Sequence, residues 1–150
     1  RIPFIVRWPG KVAAGEVNDH QLAFYDVLPT FCDVAGIKDF PKAYQRNDKD
    51  LYDGLSFYNT LVGKNDQQQK HDHLYWEFHE TDMMGVRMGE WKLVVERGNC
   101  RLYDLSKDLH EDHDVAAQHP DVVKQMVDII YKEHTAPSVP EFKVTLPKRK

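Results

Sequence analysis

The run LYWEFHETDMMGVRMGEWKLVV, residues 74–95, decides the fold. Leu74, Trp76 and Phe78 alternate with Tyr75, Glu77 and His79, and a period of two places the two sets on opposite faces of a β-strand. Val86–Met88 and Trp91–Glu96 read as two further strands, joined by a tight turn at Gly89-Glu90. The following RGNC places a second hairpin at Gly98-Asn99, which returns into Cys100–Leu105. The expected result is an antiparallel sheet of three to four strands.

Downstream, Pro120 sits at the first position of a helix that runs to about His134, where proline is favoured. Its stripe of Val122, Val123, Met126, Val127, Ile129 and Ile130 is the obvious cover for one face of a small sheet that is marginal alone. The alternation assigns Leu74, Trp76 and Phe78 to the covered face, with Trp76 against Val123 and Ile130. Tyr75, Glu77 and His79 then face away. They form either a solvated strand face or the polar wall of a cleft.

Upstream, RIPFIVRWPG opens inside what reads as a buried strand, Ile2–Val6, with Pro3 suiting an edge or a strand start. DVLPTFCDVAG reads as a short helix with Asp26 as N-cap, Pro29 in the first turn, Gly36 as the stop, and Val27, Phe31 and Val34 as the buried stripe. Residues 38–52 read as a polar loop, Asp53-Gly54 as a turn, Ser56–Val62 as a short helix ended by Gly63, and residues 64–73 as a polar exposed connection. Three segments follow: 1–63, 64–134, and an extended tail over 135–150.

Composition bounds the function. The chain has 150 residues, 41% hydrophobic and 29% charged, with a net charge of −4. That is a globular composition of about one domain's length. Its basic residues are scattered, which argues against nucleic acid as a partner. No apolar run approaches the ~18–20 residues of a membrane span. Cys32 and Cys100 have no metal-ligand or redox spacing, and Cys32 reads as a small core hydrophobe. His71-x-His73, and His110 with His113 among acidic neighbours, lack a ligand pattern, so no metal site is expected. Arg87 reads as a structural arginine. On the residues alone this is a small α+β unit with no legible reaction.

Six segments, in order, resemble the type I sulfatases of the alkaline-phosphatase-like superfamily. RIPFIVRWPGKVAAG is similar to that family's R-[VI]-P-x-I-x-R-W-P-G segment, and DHQLAFYDVLPTFCDVAGI to its D-x-x-P-T-x-x-x-x-A-G helix. YDGLSFYNTLVGK resembles a D-G-x-S-x-x-x-x-L-x-G element. HLYWEFHE, GVRMGEWKLV and RLYDLSKDLHEDHDVAAQHP resemble the family's C-terminal sheet and its L-Y-D-L tail, in the variant seen in bacterial glycan sulfatases of the arylsulfatase or N-acetylgalactosamine-6-sulfatase type. The usual D-P-x-E after L-Y-D-L is Asp108-Leu109-His110-Glu111 here, and the loop between the last two strands is short.

The resemblance implies an α+β fragment: the final strand and helix of a large α/β sulfatase domain, then a small antiparallel sheet packed on a C-terminal helix. It implies a complete enzyme, periplasmic or secreted, that hydrolyses sulfate esters of a sulfated glycan. That enzyme would use a formylglycine made in a C/S-x-P-x-R motif and a calcium ion. Neither that motif nor the calcium ligands occur here, so the fragment is expected to bind no cofactor and to be inactive without the missing N-terminal domain. No catalytic or metal residue is assigned. Glu77 and His79, with His20 as a third, are the expected sugar contacts: carboxylate oxygens accept from hydroxyls, and an imidazole can donate. The rival readings are a non-catalytic sugar-binding or oligomerising module, and a phosphatase or phosphonate hydrolase of the same superfamily.

Overall fold

The structure, a computed structural model, describes residues 2–37 and 52–149. It divides into two compact units, Arg1–His71 and Asp72–Lys150. The polar loop read over residues 38–52 lies, except for Tyr52, outside the described residues.

In the first unit a 3-10 turn, Phe24–Asp26, leads into helix α1, Val27–Val34. Gly36 ends the helix with φ +73°. The Ile37 amide donates to the Cys32 carbonyl and the Gly36 amide to the Asp33 carbonyl, the paired bonds of a glycine C-cap. The buried face of α1 is not the expected one. Asp26, Pro29, Thr30 and Cys32 are inside, whereas Phe31 and Val34 are exposed and Val27 is only half-buried.

The reason is polar. Asp26 is 1% exposed, and instead of capping α1 it gathers the main chain of the unit. Its Oδ2 accepts from the Ala23 amide at 2.7 Å, and its Oδ1 accepts from the Leu55 amide at 2.8 Å and from His71 Nε2 at 2.9 Å. Thr30 Oγ1 donates to the Asp26 carbonyl at 2.7 Å and accepts from the Phe57 amide at 3.0 Å. Buried amides need partners, and these side chains supply them, so their face of the helix turns inward. Gly54 makes the approach possible, since a Cβ there would lie 2.3 Å from the Tyr25 carbonyl oxygen. Helix α2, Tyr58–Leu61, follows and gives way to Gly63 at φ +77°. Residues 64–70 form the exposed connection read from sequence, with only Gln68 half-buried, and its end is anchored where His71 returns to Asp26.

The expected buried strand Ile2–Val6 is not formed. No ladder pairs with it among the described residues, and Ile5 is 90% exposed. A strand needs a neighbour for its amides and carbonyls; the Phe4 ring, for its part, lies edge-on to Phe57 at 5.4 Å.

The second unit carries the sheet: β1 Leu74–Phe78, β2 Met83–Met88, β3 Trp91–Glu96 and β4 Asn99–Asp104, antiparallel in the order β1-β2-β3-β4. β2 begins earlier than expected. Met88 pairs with Trp91, so Gly89-Glu90 is the two-residue turn read from the sequence, with Gly89 at φ +56°. The second turn is Arg97-Gly98, one residue before the expected position, because Glu96 pairs with Asn99. Both of its residues have positive φ, the signature of the type I′ turn. Helix α3, Pro120–Glu133, starts with proline as expected.

Met84 and Val86 of β2, Leu93 and Val95 of β3, and Leu102 of β4 form the main core with Met126, Val127 and Ile130 of α3. Tyr75 pairs with Val86 and packs on this core, and Glu77 pairs with Met84. The α3 side of β1 therefore holds Tyr75 and Glu77. This reverses the assignment made from sequence for Trp76, 44% exposed, and Phe78, 53% exposed, whereas Leu74 is buried as expected, at 4%. Alternation fixes which residues share a face but not which face is covered. The neighbouring strands decide that, because Val86, Leu93 and Leu102 are the continuous aliphatic row and Tyr75 is in register with it.

The tail after α3 is extended apart from a 3-10 turn, Pro140–Phe142, and it is tied down. Thr145 donates to Asp82 through its amide at 2.6 Å and its hydroxyl at 2.7 Å, and Tyr131 Oη donates to the Pro147 carbonyl at 2.8 Å. Val144 and Leu146 pack on the core, and the Arg149 guanidinium lies 4.0 Å from the centre of the Tyr131 ring.

Two outcomes are expected. Leu93→Ala should cost about 2–5 kcal/mol of unfolding free energy in denaturant titration, as a cavity in a packed core does, and Trp76→Ala only a small fraction of that; equal losses would restore the original face assignment. The hydrogen bonds from the Thr145 amide and hydroxyl, helped by Arg97, hold the Asp82 carboxyl below its ordinary value. The clip's contribution is therefore complete above the ordinary carboxylate range and fades as pH falls through the lowered one. The Thr145 amide resonance should report release of the tail on acidification, and Asp82→Ala should show the released position already at neutral pH.

Candidate functional site

His20 belongs to the first unit, and Glu77 and His79 to the second. Within the second unit β1 ends at Phe78, so His79 lies beyond the strand, in the 3-10 turn His79–Thr81. Its ring is 4.3 Å from that of Phe142 in the tail. The alternation argument that aligned His79 with Glu77 stops one residue short of it.

Glu77 projects on the α3 side, and its Oε1 accepts from Tyr75 Oη and lies 2.7 Å from His134 Nδ1. Burial, with the bond to Glu77 adding, drives the Tyr75 phenol far above its ordinary value and keeps it a donor. Beside this pair, His73 Nε2 is 3.1 Å from Glu133 Oε1. The end of α3 and the edge strand β1 are thus laced by two imidazole–carboxylate contacts. Glu77 is held in place by a phenol and an imidazole, so it presents a fixed acceptor and not a mobile one.

In the first unit, burial lowers the His20 imidazole from its ordinary value, the Asp26 carboxylate opposes that, and His71 and Lys70 add to the lowering. His71 is clamped on Asp26, with the Tyr25 ring edge-on at 5.7 Å. Burial pushes the Tyr25 phenol up to about 12, with Asp26 and Asp53 contributing. This polar centre was not found from sequence, which treated Asp26 as a cap and His71 as half of a histidine pair. One signal was present: Asp26 and Thr30 are four apart and must share a helix face.

His71 and His73 serve different carboxylates, Asp26 and Glu133. Among the described residues no group of three or more His, Cys, Asp or Glu side chains is placed to hold a metal ion. Cys32 is buried in α1 and is followed by Asp33-Val34-Ala35. Among the described residues the donor set therefore does not fit a calcium site, and Cys32 does not fit a formylglycine site. Arg87 is structural, donating from Nε to the Gly89 carbonyl at 3.2 Å across its own turn.

The chain is 30% identical over 146 residues to the N-acetylgalactosamine-6-O-sulfatase of Bacteroides thetaiotaomicron, an alignment covering 87% of this chain and 26% of that protein. It superposes on a Bacteroides thetaiotaomicron structure described under the metabolism of multiple glycosaminoglycans, with a TM-score of 0.60, 26% identity, and coverage of 87% of this chain and 28% of that one. Ps i-CgsB, in complex with k-i-k-neocarrahexaose, superposes with a TM-score of 0.65 at 25% identity, covering 83% of this chain and 27% of that one. The chain thus spans about a quarter of the length of these proteins. The family described as N-sulphoglucosamine sulphohydrolase, C-terminal, matches residues 1–136, and the chain belongs to that sulfatase C-terminal family.

Proposed function

We propose that this chain is the C-terminal part of a longer sulfatase, periplasmic or secreted, that hydrolyses sulfate esters of a sulfated glycan. The observation that carries the reading is the family match over residues 1–136, by a chain about a quarter as long as the sulfatases it aligns with. Relatives named for an aminosugar sulfate and a structure holding a carrageenan-type oligosaccharide support a sugar substrate.

In this reading the formylglycine and calcium belong to the missing N-terminal domain, where they supply the nucleophile and the Lewis acid. The present chain contributes recognition. Glu77, oriented by Tyr75 and His134, accepts hydrogen bonds from sugar hydroxyls. His79, backed by Phe142, donates to a hydroxyl or to the sulfate. His20 in the first unit is a third contact. Recognition by groups remote from the cleaved bond raises kcat/KM only for substrates that reach them.

The test uses the longer polypeptide. His79→Ala and Glu77→Ala should each lower kcat/KM on the sulfated glycan by about 10- to 100-fold, the loss of one charge-assisted hydrogen bond, and leave a small aryl sulfate nearly unaffected. His134→Ala should reproduce part of the Glu77→Ala loss. This chain alone should hydrolyse neither substrate, even with added calcium. Equal losses on both substrates, or none on either, would contradict the assigned roles.

A further inference from the structure

The segment after α3 has little regular structure, yet it holds a fixed course over the second unit. Pro140 opens the 3-10 turn Pro140–Phe142, where its locked φ suits a first helical position and its missing amide costs no bond. The Phe142 amide closes the turn on the Val139 carbonyl at 3.0 Å. Further on, Thr145 is bonded to Asp82, Val144 and Leu146 pack on the core, and Pro147 is fully buried. Phe142 is thus held between a proline turn and a run of anchored residues. Its half-exposed ring lies 4.3 Å from the His79 imidazole, inclined by 35°. This segment lies beyond residue 136, where the family match ends.

Asp82 joins this segment to the turn that carries His79. It ends the 3-10 turn His79–Thr81 in the left-handed region, at φ +53°. Its amide donates to the His79 carbonyl at 3.0 Å, and its carbonyl accepts from the Arg97 amide at 2.9 Å. Its carboxylate accepts both bonds from Thr145. One residue therefore fixes the His79 backbone and fastens the segment that brings Phe142 to the His79 ring. A second ring, Phe78, lies 6.3 Å from the same imidazole. An imidazole past the end of a strand has no ladder neighbour to set its rotamer, and contact with an aromatic ring restricts it instead. We propose that residues 140–147 are a strap that positions His79 for glycan recognition, with Phe142 as the positioning residue and the Asp82–Thr145 bonds as its fastening. The proposal deepens the reading of His79 as a sugar contact and rests on it. A side chain ordered before binding need not be ordered on binding, so the strap tightens binding of the glycan without touching the cleaved bond.

The test again uses the longer polypeptide, assayed on the sulfated glycan and on a small aryl sulfate. Phe142→Ala should raise KM for the glycan by about 2- to 10-fold, the effect of one pre-ordered side chain, and leave kcat on it unchanged. Phe142→Tyr keeps the ring and should restore the original KM. Asp82→Asn suits the left-handed backbone and removes one carboxylate oxygen. It should raise KM although Phe142 is intact. Combined with Phe142→Ala it should be no worse than Phe142→Ala alone, because both act through one contact. Histidine-selective NMR labelling should show the His79 ring protons displaced by the Phe142 ring current, and moved back in both single variants. An unchanged KM in Phe142→Ala, where His79→Ala raises it, would overturn the strap and leave recognition by His79 standing. Equal losses on the glycan and the aryl sulfate would also overturn it, since the damage would then be general. If His79→Ala has no effect on either substrate, the recognition reading is refuted, and the role of the strap with it.

Discussion

The covered face of the small sheet depends on register. Two two-residue hairpins, at Gly89-Glu90 and Arg97-Gly98, align Val86, Leu93 and Leu102 into one row that α3 covers. Because side chains alternate, a slip of one residue at either turn would send that row to the other side of the sheet. Everything chemical in the second unit follows from this choice. Tyr75 and Glu77 are carried to the α3 side, where Glu77 meets His134 and becomes a fixed acceptor. Trp76 and Phe78 are carried to the opposite side.

The first unit is organised differently, by a buried carboxylate and not by an aliphatic row. Asp26 accepts from two amides and His71, and Thr30 extends the set to the Phe57 amide. A buried carboxylate is costly unless its hydrogen bonds are satisfied, and here they are. That requirement rotates α1 so that its polar residues face inward and an apolar stripe is left outside. The inward Asp26 and the outward Phe31 are two consequences of one rotation.

The legible parts of the fold were those set by local chemistry. The strands of the second unit, the Gly89-Glu90 turn, the proline start of α3 and its stripe of Met126, Val127 and Ile130 follow from alternation, turn residues and helical period. What was misread depends on partners distant in sequence. The side of Trp76 is decided by strands beyond it, and the Arg97-Gly98 turn by a pairing at which both residues adopt positive φ. The Val27–Phe31–Val34 stripe was overruled by hydrogen bonds that reach from residue 26 to 55 and 71. Ile2–Val6 kept its apolar character and lacks a ladder among the described residues. The candidate site was legible only as residue types. The sequence offered Glu77 and His79 as a pair, but the strand ends between them, and the engagement of Glu77 by Tyr75 and His134 depends on a helix some fifty residues away.

Sidedness of β1 is the claim on which the geometry of Glu77 and the recognition role built on it both stand. Nuclear Overhauser contacts from the β1 aromatic rings measure it directly in the isolated chain. The account requires contacts from the Tyr75 ring to methyl groups of the core shared by Val86, Leu93 and α3, and none to that core from the Trp76 indole. Contacts from the Trp76 indole to the Val127 or Ile130 methyls, with the Tyr75 ring silent, would contradict it.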